Sequence, residues 1–103
     1  MKPFRLHTVL SYRRTLENRA TERLVRAREE VDRVVSEMER EKARLQDICR
    51  EFEERKSRGT DVREILVFQS HLRRVREEIA RREQELQSAR EDAARKEEEL
   101  RRA

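Results

Sequence analysis

His7, Cys49 and His71 are the side chains most suited to hold a metal or to act as a nucleophile with its base, and they are scattered along the chain. Metal motifs bring such ligands together at short, regular spacings. A nucleophile needs a base beside it in a walled pocket, and a single glycine cannot form a phosphate-binding loop. The carboxylates are spaced as i, i+4 partners of arginine, which is typical of a helix surface. The sequence therefore predicts a protein that is not an enzyme and holds no metal or cofactor.

The composition points to long helices. Of 103 residues, 49% are charged and 34% hydrophobic, with 4% aromatics, one glycine and one proline. Ordinary globular domains have about 25% charged residues. So few turn-forming and large core residues exclude β-sandwiches, barrels and most α/β folds. The expected class is all-α.

Apolar residues repeat every seven positions, with spacings of four and three that stay in phase for about six heptads. One row is Leu10, Glu17, Leu24, Val31, Met38, Leu45 and Phe52, and its companion is Leu6, Arg13, Ala20, Ala27, Val34, Glu41 and Ile48. After a break the rows resume as Ile65, Leu72, Ile79, Leu86, Ala93 and Leu100, and as Phe68, Val75, Arg82, Ala89, Lys96 and Ala103. This pattern predicts two coiled-coil helices.

The break between the helices contains the only glycine, Gly59, followed by Asp61 and Glu64 as N-cap and capping-box partner. The prediction is an antiparallel hairpin, with helix 1 at about 3–57, a turn at 58–61 and helix 2 at about 62–103. Facing residues then have numbers that sum to about 120, so that Phe52 meets Phe68. A register one heptad shorter, with sums near 113, is the alternative.

We expect a single elongated hairpin over residues 1–103 in which residues 1–16 extend beyond the end of the second helix and have no intrachain partner. This overhang carries an apolar stripe, which marks an interaction site or a chain that continues further. The heptad rows of the two helices together form the seam of the hairpin. Arg82 is a polar member of this seam and is expected to reach Glu37, Glu41 and Glu78. Near the turn, Leu66 and Val67 are expected to remain outside the core, with His71 as a further candidate, and this apolar patch beside the tip of the hairpin is a candidate docking site.

The net charge of +4 is concentrated at the N-terminal end, because residues 1–28 contain eight basic and two acidic residues. This excess favours an acidic partner. Nucleic acid is not expected, since Glu22 falls where a basic-zipper helix would face the major groove and the basic residues overlap the apolar seam. One cysteine and no long apolar run predict a soluble cytoplasmic protein without a signal peptide or membrane span.

Two segments resemble the FliJ family of flagellar type III export proteins. The first is Phe4-Arg5-Leu6-x-x-Val9-Leu10-x-x-Arg13-Arg14, and the second is Ile65-Leu66-Val67-Phe68-Gln69-Ser70-His71-Leu72-x-x-Val75-x-x-x-Ile79. The resemblance covers essentially the whole chain. Because members of the family usually continue further, the partner of residues 1–16 is expected to be more of the same protein or another chain.

The resemblance implies a non-enzymatic cytoplasmic adaptor and stalk of the export apparatus, peripherally associated with the inner membrane and needed for flagellum biogenesis and motility. Its partners would be the hexameric export ATPase, the membrane export gate and export chaperones. Carried over to this sequence, Phe4, Leu6, Leu10, Arg13 and Arg14 are the candidates for contact with the ATPase. The candidates for contact with the gate are Phe68, His71 and Val75.

A generic structural coiled-coil module, self-associating through residues 1–16, is the alternative function. The two hypotheses differ in their prediction for the export ATPase, which only the first expects to bind.

Overall fold

The computed structural model describes the backbone of residues 3–103 and the side chains of residues 5–103. Helix α1 spans Pro3–Arg58 and helix α2 spans Val62–Arg102, and together they form an antiparallel hairpin. Proline at the first position suits a helix start, where a backbone N–H is not needed. Both the predicted fold class and the predicted helix bounds, which agree within one residue, are confirmed. Over the described residues, neither helix has a stretch long and apolar enough to cross a membrane.

Local capping chemistry sets the turn between the helices. Gly59 has a φ of 90°, and its N–H donates to the Lys56 carbonyl oxygen at 3.2 Å, which closes α1. The Glu64 N–H donates to Asp61 Oδ1 at 2.9 Å, so Asp61 is the N-cap of α2 as predicted. The Glu64 carboxylate lies 3.6 Å from Arg55 of α1 instead of completing the capping box.

Residues 33–86 form one compact unit, which contains the turn. Its buried side chains are Val34, Ile48, Val75 and Leu86. The rings of Phe52 and Phe68 have their centroids 5.1 Å apart with a 54° interplanar angle, a tilted aromatic contact. This pair confirms the register with sums near 120 and excludes the register one heptad shorter.

Residues 1–32 and 87–103 form the other compact unit. Its buried residues, Ala20, Leu24 and Ala27, are all on α1. On α2, Ala93 and Lys96 are half-buried, and the Lys96 ammonium lies 3.7 Å from the Glu99 carboxylate. The stem of Lys96 is therefore partly covered while its charge stays near solvent.

Candidate protein-docking surfaces

The N-terminal part of α1 carries an exposed apolar surface, which we call the N-terminal stripe. Every described side chain from Arg5 to Arg19 is exposed, and burial begins at Ala20. The large apolar members are Leu6 (50% exposed), Val9 (47%), Leu10 (47%), Tyr12 (64%) and Leu16 (40%). Five such side chains within three helical turns make an exposed apolar surface of the kind that binds other proteins.

The N-terminal stripe continues the direction of the buried face of α1. At 100° per residue, Leu6, Val9 and Arg13 lie within about 40° of the mean direction of Ala20, Leu24 and Ala27. Those three residues are buried, whereas the stripe residues are not. The side of α1 that is buried in the hairpin from Ala20 onward is therefore exposed to solvent over residues 5–16.

Within residues 5–16 the charged side chains of the N-terminal stripe are all basic, and Glu17 follows at its end. Arg5, Arg13 and Arg14 are exposed, and residues 5–16 contain no aspartate or glutamate. By direction, Arg13 lies in the centre of the stripe and Arg14 about 110° away from it. A basic, apolar surface of this kind fits an acidic partner with apolar anchors.

The predicted ATPase-contact residues lie on or beside this surface. Leu6, Leu10 and Arg13 belong to the stripe and Arg14 borders it, whereas the side chain of Phe4 lies outside the described residues. Val9 and Leu16 were missing from the predicted contact set although they are as exposed as its leucines. Their spacing of i+3 and i+10 from Leu6 is the signal that places them on the same side.

Phe68 and His71, two of the predicted gate-contact residues, are half-buried at the flank of the hairpin. The ring of Phe68 contacts that of Phe52 at a tilt, and the Lys56 ammonium lies 4.8 Å from the centroid of the Phe52 ring. Nε2 of His71 lies 3.4 Å from Nη2 of Arg44 on α1. Both side chains therefore help to hold α1 and α2 together while part of each reaches solvent.

Val75, the third predicted gate-contact residue, is 2% exposed. A side chain this buried serves the core of the 33–86 unit and cannot touch a partner while the hairpin is closed. Its burial argues against direct contact.

An outer surface on α2 is formed by Val62 (71% exposed), Leu66 (59%) and Val67 (68%). Leu66 lies nine residues before Val75, which at 100° per residue puts it on the opposite side of α2. The prediction that Leu66 and Val67 remain outside the core is confirmed. We call these residues, together with Arg63, Arg73 and Arg74 on the same side, the outer α2 surface.

A four-residue ion network occupies the polar interruption of the seam. Arg82 Nη1 donates to Glu85 Oε2 at 2.8 Å and lies 2.9 Å from Glu37 Oε2. Arg33 donates to Glu37 Oε1 at 2.7 Å and to Glu85 Oε1 at 3.1 Å. The predicted contact between Arg82 and Glu37 is confirmed. Glu85, which was not predicted, takes the place of Glu41 and Glu78, whose carboxylates pair with Arg44 and Arg81 instead.

The network shifts the pKa values of two members. The hydrogen bond to Glu85 raises the pKa of Arg82, against a smaller opposing effect of desolvation. Hydrogen bonds from Arg82 and then Arg33 lower the pKa of Glu85 below its ordinary 4.5. Both shifts favour the charged forms of the side chains. The network therefore joins the two helices through ion pairs and helps to fix their register.

Acid should weaken this network. The pKa of Glu85 is lower in the folded than in the unfolded chain. The stabilising contribution of its carboxylate is therefore complete above about pH 4.5 and is lost as the pH falls through the pKa of the folded state. We expect the thermal midpoint of the wild type to fall more steeply below pH 4.5 than that of Glu85→Gln. Parallel pH profiles of the two proteins, measured by circular dichroism, would contradict this expectation.

The described side chains include no group of three or more His, Cys, Asp or Glu residues placed to hold a metal ion. Cys49 is a free, half-buried thiol.

Comparison with known proteins gave one result. A family model described as "Flagellar FliJ protein" matches residues 1–103, which is the whole sequence. Neither the curated proteins nor the solved structures gave a match.

Proposed function

The chain belongs to the FliJ family and is a component of the flagellar export apparatus, and from this premise we propose that it works there as a non-enzymatic adaptor. In this proposal the N-terminal stripe docks on the hexameric export ATPase, the flank of the hairpin near the turn meets the membrane export gate, and the protein assists export chaperones. It would work in the cytoplasm, peripherally associated with the inner membrane through these partners.

The exposed N-terminal stripe is the observation that carries the proposal. Leu6, Val9, Leu10 and Leu16 are 40–50% exposed on the side of α1 that is buried from Ala20 onward. At about 25 cal/mol per Å² of apolar surface removed from water, covering these side chains would contribute several kcal/mol to binding. The neighbouring arginines would orient an acidic partner.

Phe68 and His71 remain the candidates for the gate contact, because part of each side chain reaches solvent beside the turn. Val75 would support them from the core and not touch the gate itself. The aromatic contact of Phe68 with Phe52 would fix the surface that it presents.

The ATPase contact is tested by capture with the export ATPase of the same bacterium. We expect the double variant Leu6→Ser, Leu10→Ser to bind at least about tenfold more weakly than the wild type, because hydrophobic anchors dominate such interfaces. Val25→Ser is the matched control, since Val25 is also 47% exposed but lies about 130° from the direction of the stripe. Equal capture of all three proteins would contradict the proposed site.

Self-association through residues 1–16 is the alternative, as a structural coiled-coil module. Two copies paired through this segment would bring Arg5, Arg13 and Arg14 of one chain near the same residues of the other, with no carboxylate in residues 5–16 to offset them. A dimer in light scattering that Leu6→Ser, Leu10→Ser dissociates, together with no capture by the ATPase, would favour the alternative.

A further inference from the structure

The outer α2 surface has an apolar part and a basic part arranged one after the other along the helix. Val62, Leu66 and Val67 form the apolar part, and Arg73 and Arg74 follow about two turns later on the same side. From Val62 to Arg74 the surface is about 18 Å long at 1.5 Å per residue. None of these side chains packs in the hairpin core, so the fold of the chain does not account for them.

The arginines of this surface have no acidic partners among the side chains that the structure describes. Among the residues whose side chains are described, no carboxylate lies within 4.0 Å of Arg63, Arg73 or Arg74. Residues 65–76 contain three arginines and no acid. Further along α2, Arg81, Arg95 and Arg101 pair with Glu78, Asp92 and Glu97. The positive charge of the outer α2 surface is therefore left for a partner to neutralise.

One shallow groove borders the apolar part of the surface, and another borders the basic part. One is lined by residues that include Arg63, Val67 and Phe68, and the other by residues that include Leu72, Arg73 and Ala80. Ridges and grooves at helical spacing are the features that a second helix packs against. A membrane surface fits less well, because a helix at a lipid interface carries its apolar residues along the whole length of one face, with basic residues beside them.

We propose that the outer α2 surface binds an acidic amphipathic helix of another protein. One apolar turn of that helix covers Val62, Leu66 and Val67, and carboxylates two turns away pair with Arg73 and Arg74. This surface borders Phe68 at one groove but does not include Phe68, His71 or Val75, and the proposal does not rest on a role in the export apparatus.

The test uses the full chain and two synthetic helical peptides of about 18 residues. Each peptide has one turn of leucines and one turn of glutamates, in opposite order, so that both helix orientations are sampled, and a third peptide carries lysines in place of the glutamates. We expect one glutamate peptide to bind in a fluorescence anisotropy titration, more weakly at higher salt, and the lysine peptide not to bind. Failure of both glutamate peptides to bind would overturn the proposal.

Variants locate the binding. The double variant Arg73→Glu, Arg74→Glu should bind the glutamate peptide about tenfold or more weakly than the wild type. The double variant Leu66→Ser, Val67→Ser should weaken binding by a similar factor. The double variant Arg73→Gln, Arg74→Gln removes the same positive charges. Unlike the glutamate variant, it places no new carboxylates one turn from Glu77 and Glu78, so it adds no repulsion within α2. Arg19→Glu with Arg23→Glu makes the same charge change at exposed positions of α1 and should leave binding unchanged. Equal weakening by this control would overturn the proposal.

A lipid surface or a second copy of this chain, as the binding partner of the outer α2 surface, would give different results in these tests. Binding to phosphatidylglycerol vesicles that is lost in the Leu66→Ser, Val67→Ser protein, without binding of either glutamate peptide, would mean a lipid surface. A wild-type dimer in light scattering that the same variant dissociates would mean a second copy of this chain. Either result would overturn the proposal.

Discussion

Replacing Val75 by aspartate is expected to unfold the hairpin around residues 33–86. Val75 is 2% exposed, so the substitution removes a core side chain and places a carboxylate in a buried position. Burying an uncompensated charge together with this loss costs on the order of 3 kcal/mol or more. Because small domains are stable by only about 5–15 kcal/mol, we expect a large fall in the thermal midpoint and in the urea midpoint of the full chain.

Val67→Asp is the matched control for this prediction. It is the same change on the same helix, but Val67 is 68% exposed and lies on the outer α2 surface. Exposed substitutions away from special features usually change the free energy of unfolding by within about 0.5 kcal/mol. If the Val75 and Val67 variants unfolded at the same urea concentration, the packing described for Val75 would be wrong.

The same pair of variants separates a core role from a contact role. Val75 resembles a gate-contact residue by its place in the motif, yet its side chain is in the core. If a Val75 variant loses binding to the gate, we therefore expect the cause to be a smaller fraction of folded protein. Measuring binding against the folded fraction distinguishes the two effects.

The architecture followed from the sequence because its determinants are local and repeated. Gly59 and Asp61 end one helix and start the next through backbone conformation and a single hydrogen bond, and neither depends on distant residues. The heptad rows then leave two registers, and the one that faces Phe52 with Phe68 is the one found. Periodicity also places Leu66 and Val67 outside, as observed.

The candidate sites were less predictable. Arginine and glutamate side chains are long enough to choose among several partners one turn apart, so spacing alone did not show that Arg82 bonds to Glu85. A motif residue such as Val75 has the same sequence signal whether it packs or binds. The identity of a partner depends on a surface that the chain itself does not contain, and only likeness to a family suggested the ATPase and the gate.

Removing either ring of the aromatic pair near the turn is expected to destabilise the hairpin substantially. Both Phe52 and Phe68 are half-buried, so Phe52→Ala and Phe68→Ala should each cost about 2 kcal/mol, less than the 3–5 kcal/mol typical of fully buried rings. Since the centroids are 5.1 Å apart, a double-mutant cycle in urea should show a coupling of about 1 kcal/mol.

Phe52→Leu is the control, because it keeps an apolar side chain on Phe68 while removing the ring-on-ring contact and should cost less than Phe52→Ala. No coupling in the cycle would mean that the two rings do not touch in solution, and the register would have to be revised. The cycle also bears on the gate, since Phe68→Ala removes the proposed contact itself and Phe52→Ala removes only its support. If binding at equal folded fraction is lost with Phe68→Ala and largely retained with Phe52→Ala, Phe68 contacts the partner directly. If both variants lose it equally, the paired rings are needed to hold the surface in shape.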